Sequence, residues 1–142
     1  MVTVKQILDA KGTAVWCIAP GDSVFDAISR MSDKGIGALL VTEGDKPVGI
    51  ISERDYARKV ILQGRSSRET PVHEVMTARV IFVDPDATVE DCMALMTAKG
   101  VRHLPVLHGT TVAGMLSMRD LLGAIIDEQR YTIEQLERYI LG

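Results

Sequence analysis

The chain has 142 residues, 46% of them hydrophobic, which is enough for one substantial core or for two small ones that share an interface. A formal net charge of -3 and a pI near 5.6 give it no pull towards duplex DNA, RNA or an anionic membrane. Its opening residues lack a basic and then apolar leader, and no apolar run nears the roughly 20 residues a membrane span needs, so a cytoplasmic protein is expected.

In chain order, Val15–Ile18 is a short apolar strand stopped by Pro20. A helix follows, with Ser23 as its N-cap, Val24, Ala27, Ile28 and Met31 at helical spacing, and Gly35 closing it. Ala38–Val41 and Val48–Ile51 then read as strands around the turn Glu43-Gly44-Asp45, and Ser52 opens a second helix from Arg54 to Gln63. The polar, breaker-containing stretch from Gln63 to Pro71 reads as a linker. Beyond it the order recurs: a strand Val80–Val83 ending at Pro85, an N-cap Thr88, and a helix with Val89, Cys92, Met93 and Met96 inward up to Gly100. Strands Leu104–Leu107 and Val112–Leu116 flank His108-Gly109-Thr110, and Ser117 opens a helix to about Gln129. Finally, Thr132-Ile133-Glu134-Gln135 reads as a capping box for a short terminal helix with Ile133, Leu136, Ile140 and Leu141 apolar. Such a helix needs a surface to pack on, in its own chain or in a second subunit.

The recurrence is a true internal repeat. An offset of about 65 residues places Val15, Pro20, Asp26, Met31, Lys34, Gly35, Gly44, Gly49, Ser52, Arg54 and Asp55 on Val80, Pro85, Asp91, Met96, Lys99, Gly100, Gly109, Gly114, Ser117, Arg119 and Asp120 without a gap. Two positions repeat with particular chemistry. Each serine stands at a helix mouth, where a hydroxyl and N-terminal amides attract phosphate. Each aspartate follows three residues on, where a carboxylate can accept from the vicinal hydroxyls of a ribose. Plain helix capping explains the same pair of residue types equally well.

Twice, Gly49-Ile50-Ile51-Ser52-Glu53-Arg54-Asp55 and Gly114-Met115-Leu116-Ser117-Met118-Arg119-Asp120 close a strand-helix-strand-strand order. With Met76-Thr77 and Gly100-Val101-Arg102-His103-Leu104-Pro105-Val106, they make the chain resemble the tandem CBS domain pair, or Bateman module, from about Val4 to Ile126. The resemblance implies an α/β (α+β) fold of two β-α-β-β-α repeats packed with pseudo-twofold symmetry through their sheets. On that reading residues 1–66 are the first repeat with an N-terminal helix, 67–126 the second, and 127–142 a C-terminal helix for packing or dimer formation.

It also implies a stand-alone regulatory module that binds an adenine nucleotide and acts on a partner protein in trans, as a homodimer. The expected ligand is an adenine nucleotide (AMP, ADP or ATP), AMP or ATP first, with NAD(H) next and S-adenosylmethionine last. Serine takes phosphate and aspartate takes ribose, in clefts shared between the copies. One cleft would combine Ser52, Arg54 and Asp55 with Val80, Ile81, Val101, Arg102 and His103. The other would combine Ser117, Arg119 and Asp120 with Lys11, Val15, Trp16, Ile36, Gly37 and Ala38. Since Arg102 and His103 match Gly37 and Ala38, the clefts are unequal, and a polyphosphate is expected to favour the one with Arg102. Trp16 is expected in the core or at a dimer surface. The alternative function is a constitutive interaction module with vestigial clefts.

Catalysis is not expected. No G-x-S-x-G, Walker A or H-E-x-x-H pattern occurs, and His73, His103 and His108 have no metal spacing with the cysteines. Cys17 and Cys92, far apart in apolar stretches, read as buried reduced thiols. Arg58, Lys59, Arg65 and Arg68 read as a solvated basic patch near the linker, with contact to nucleotide phosphates across a dimer as the alternative.

Overall fold

The computed structural model describes Met1–Leu141. Gly142, the last residue of the expected C-terminal element, lies outside the described residues. The elements run α1 (Val4–Lys11), β1 (Cys17–Ile18), α2 (Val24–Lys34), β2 (Ala38–Glu43), β3 (Lys46–Ser52), α3 (Glu53–Tyr56), α4 (Val89–Lys99), β4 (His103–His108), β5 (Thr111–Ser117) and α5 (Met118–Leu141). They form two compact units. One is Val15–Ile81; the other joins Met1–Ala14 to Phe82–Gly142, so α1 folds with the second repeat.

In the unit 15–81, β1 pairs parallel with β2 and β2 antiparallel with β3, with a register shift after Val41. Ser23 caps α2 through the Asp26 amide, and Gly35 closes it in the left-handed conformation, as expected. The stretch read as a linker is structured. Its carbonyls at Ser67 and Thr70 accept from the Phe25 and Val24 amides, two donors that a helix start leaves without intrahelical partners. Thr70 is itself buried, its hydroxyl donating to the Ser66 carbonyl at 2.6 Å. Ile18, Val24, Ala27, Met31, Leu39, Val41, Ile51, Val60, Val72 and Val75 form the core. The second helix is not uniform: α3 gives way to a π-helical turn over Ala57–Ile61.

In the other unit β4 and β5 repeat the hairpin, with the register shift at the matching place after Val106. The strand expected over Val80–Val83 does not form. Only Val83 bridges β4, its amide donating to the Pro105 carbonyl and its carbonyl accepting from Leu107. The cause is a single residue. At the position matching Pro105, the Leu40 amide donates to the Trp16 carbonyl and carries β1 one step further. Proline has no N–H, so the ladder stops. The separate terminal helix is also corrected. α5 is one continuous helix of 24 residues, and Thr132 lies inside it with its hydroxyl donating back to the Glu128 carbonyl at 3.0 Å.

α1 begins with the capping box Thr3–Gln6, and Val4, Ile7 and Leu8 are buried within its unit. Leu8 lies against Gly114 of β5: a Cβ at that glycine would come within 2.6 Å of Leu8 Cδ2. Gly49, its repeat mate on β3, is equally crowded, with Met76 Sδ at 2.5 Å and the Thr77 carbonyl oxygen at 3.0 Å from a would-be Cβ. At both repeat positions another segment of the same unit, Met76–Thr77 at Gly49 and Leu8 at Gly114, lies where a Cβ would stand.

Candidate functional site

The two helix mouths are built alike. Ser52 ends β3 in extended conformation, which lets its hydroxyl accept from the Asp55 amide while Asp55 Oδ2 accepts from the Ser52 amide at 2.9 Å. Ser117 and Asp120 repeat this, with the Ser117 amide 2.8 Å from Asp120 Oδ2 and the Asp120 amide 3.2 Å from the serine hydroxyl oxygen. The next amide is held by the neighbouring strand's approach: Glu53 N–H donates to the Gly37 carbonyl and Met118 N–H to the Arg102 carbonyl. Gly37 with Ala38, and Arg102 with His103, are therefore fixed beside the serine of their own unit, with Ala38 paired to Ser52 and His103 to Ser117.

This geometry changes the chemistry that composition and spacing offered. At each mouth the first and third helix amides have protein partners. The aspartates are only partly buried, with 16% exposure for the Asp55 side chain and 22% for Asp120.

Each carboxylate is neutralised by a lysine, but from different places. Lys59, one helical turn after Asp55, meets Oδ1 at 3.2 Å and also donates to the Val75 carbonyl. The matching residue of α5 is Ala124, and the cation comes instead from α1: Lys11 Nζ lies 2.8 Å from Asp120 Oδ2 and 2.8 Å from the Met115 carbonyl oxygen. That carbonyl has a counterpart in Ile50, whose oxygen accepts from the Thr77 amide. A lysine side chain thus does in one unit what a backbone amide does in the other. Lys59 lies in the basic stretch, and its i,i+4 spacing from Asp55 is the sequence signal for this pair.

The unit with Asp120 gathers the charged set. Burial alone would raise the Asp120 carboxyl, but the Lys11 ammonium and the Ser117 amide outweigh it and hold the group below its ordinary value. His103 is pushed below its ordinary value, chiefly by burial; the Asp120 carboxylate opposes this, while Lys11 and Arg102 reinforce it. The imidazole is thus biased towards its neutral form beside a carboxylate and two cations.

The remaining expected residues divide by unit. Ser52, Arg54, Asp55, Val80, Ile81, Val15, Trp16, Ile36, Gly37 and Ala38 belong to the unit 15–81, whereas Lys11, Val101, Arg102, His103, Ser117, Arg119 and Asp120 belong to the other. Trp16 is not a core residue: it is 40% exposed, with the Lys34 ammonium 4.2 Å from its ring centroid. The basic patch is largely spoken for. Besides Lys59, Arg65 pairs with Glu74, and Arg68 lies over the Phe25 ring. Cys92 is buried, as expected, but Cys17 is only half-buried. Among the described residues no three His, Cys, Asp or Glu side chains are grouped to hold a metal, and no helix is long and apolar enough to cross a membrane.

Two segments of the sequence, residues 4–61 and 72–127, match the family pattern of the CBS domain. The chain belongs to the CBS-domain family. A CBS domain-containing protein of Arabidopsis thaliana, CBSX3, mitochondrial, is 38% identical over 99% of this chain and 72% of its own length. The solved structure of a protein with CBS domains from Burkholderia ambifaria superposes with a TM-score of 0.88 at 51% identity, covering 90% of this chain and 96% of that one. A CBS domain protein from Pyrobaculum aerophilum, solved in complex with AMP, shares the fold with a TM-score of 0.74 at 20% identity over 84% of this chain and 89% of that one.

Proposed function

We propose that the chain is a regulatory module that binds an adenine nucleotide, AMP or ATP before NAD(H), and passes its bound state to a partner protein in trans. The observation that carries this reading is the repeated serine–aspartate helix mouth, half-buried in both units and flanked by cationic side chains. Family membership and the AMP complex of a protein sharing the fold support it. Serine and the adjacent cations take the phosphates; the aspartates take ribose. In the ligand-free state each carboxylate holds a lysine instead. Lys11 and Asp120 are 35% and 22% exposed, so their ion pair is worth about 0–1 kcal/mol and does not lock the mouth against a ribose that donates two hydrogen bonds.

Binding can regulate only if the ligand prefers one arrangement of the protein over another. Thermal denaturation with AMP, ADP, ATP, NAD(H) and guanine nucleotides tests the reading. An adenine nucleotide at 100 times its dissociation constant should stabilise by about 2.7 kcal/mol, a rise of roughly 5–10 °C for a chain of this size. Asp55→Asn with Asp120→Asn keeps an acceptor for each serine amide but removes the charge and one ribose acceptor, and should abolish the rise. No response to any adenine nucleotide, or an undiminished response in the double variant, overturns the reading.

A further inference from the structure

The most conspicuous surface outside the helix mouths is α5. Every residue from Ile126 to Leu141 is exposed, including large apolar side chains that a chain of this size ordinarily covers. The first turns of the helix are anchored through Leu121, which is buried; beyond Ile125 nothing among the described residues covers it. A helical stretch of that length is marginal alone in water.

Its apolar residues are not scattered. Leu122, Ile126, Gln129, Ile133, Leu136 and Ile140 follow one another at steps of four and three residues, the a/d repeat of a coiled-coil seam. The apolar members are 46%, 48%, 55%, 57% and 78% exposed in that order. The seam runs about 27 Å along the helix at 1.5 Å per residue. Charged residues keep off it: Asp127, Glu128 and Glu134 lie on the opposite side, and of the flanking residues Arg130 and Glu137 carry opposite signs. The side chains on the other flank, Ile125, Thr132 and Tyr139, are uncharged.

We propose that this seam is covered by the same helix of a second copy, making α5 a homotypic coiled-coil zipper. Three observations favour a second copy. Five apolar side chains, each 46% exposed or more, leave on the order of 100 Å2 apiece, so two copies together remove on the order of 1,000 Å2, the lower bound for a stable interface. A twofold arrangement sets one seam against its identical partner, so apolar positions meet apolar positions, and no row of like charges faces itself. A membrane surface is a poor occupant, because the polar side of the helix carries more acidic than basic groups. Gln129, the one polar seam residue, marks a register in which amides can pair across the interface, as buried polar side chains do in zippers.

Sedimentation velocity on the nucleotide-free full chain, from 1 to 200 micromolar, tests this independently of ligand binding. The wild type should sediment as two copies. Ile133→Asp with Leu136→Asp should weaken association at least 100-fold while circular dichroism and melting of the body stay unchanged, since both residues are exposed. Glu134→Lys, on the opposite side, should associate as the wild type does. A wild type of one-copy mass throughout overturns the proposal and leaves the seam to a different protein. Undiminished association of the seam variant, or equal disruption by Glu134→Lys, shows that copies meet through another face and overturns it too.

Discussion

Gly114→Ala tests how α1 is held on its unit. The added methyl would lie 2.6 Å from Leu8 Cδ2 and 2.9 Å from Cδ1, about 1 Å inside ordinary carbon–carbon contact. Leu8 is 5% exposed and cannot swing into solvent without undocking. Overpacking of this kind costs about 1–3 kcal/mol. Leu8→Ala alone removes a buried side chain and costs about 2–5 kcal/mol. In the double variant, however, the new methyl enters the space that Leu8 vacates. The double variant should therefore be more stable than the sum of the single effects implies, by about the 1–3 kcal/mol of relieved overlap. Urea denaturation of the four proteins measures this coupling. Additivity within about 0.5 kcal/mol would refute the claim that Leu8 is what requires glycine at this position.

Replacing Lys11 by methionine leaves burial as the main influence on Asp120, so its carboxyl should titrate higher, as read by carbonyl carbon chemical shift. Because the wild-type value lies below the ordinary 3.8, the stability it confers is present above that pH and lost as pH falls through the folded value; Lys11→Met should flatten this acid limb. An unmoved Asp120 titration would show that the ion pair contributes nothing. His103 has its folded value lowered too, so its contribution is complete above the ordinary 6.5 and declines as pH falls from there towards the folded value. In His103→Gln the stability slope between about pH 7 and 5 should shrink; an identical slope would contradict burial of a neutral imidazole. The Cys92 thiol, pushed up to about 11 by burial and by the Asp91 carboxylate, should resist a thiol reagent at pH 8 and react fully once the chain is unfolded. Rapid reaction of Cys92 in the native protein would show that the core opens there.

Much of this arrangement could be read from residues alone, because duplication made each local signal appear twice. Ser52 and Ser117 as caps, the Gly35 and Gly100 helix ends and the two hairpins all depend on chemistry within a few residues. What escaped was non-local. Nothing near Val80–Val83 shows that Pro105, more than 20 residues on, would withhold the amide needed to extend its pairing. The Thr132–Gln135 signature is genuine capping chemistry, but a helix already under way from Met118 passes through it at no cost in backbone bonds. Lys11 gave no local hint of its role, since its partners Met115 and Asp120 lie more than 100 positions along the chain. Lys59, by contrast, was legible from its spacing to Asp55 and was hidden only by the basic residues around it.

The division of the chain has a consequence for how it acquires its structure during synthesis. Val15–Ile81 is uninterrupted and can mature as soon as it leaves the ribosome, whereas Met1–Ala14 must wait for residues that emerge far later. Closing Lys11 on Asp120 spans a separation of 109 residues, and such long-range closure slows the search for native structure. The central segment should therefore gain hydrogen-exchange protection first, with α1 the last element to be protected and the first stretch vulnerable to proteases in a nascent chain.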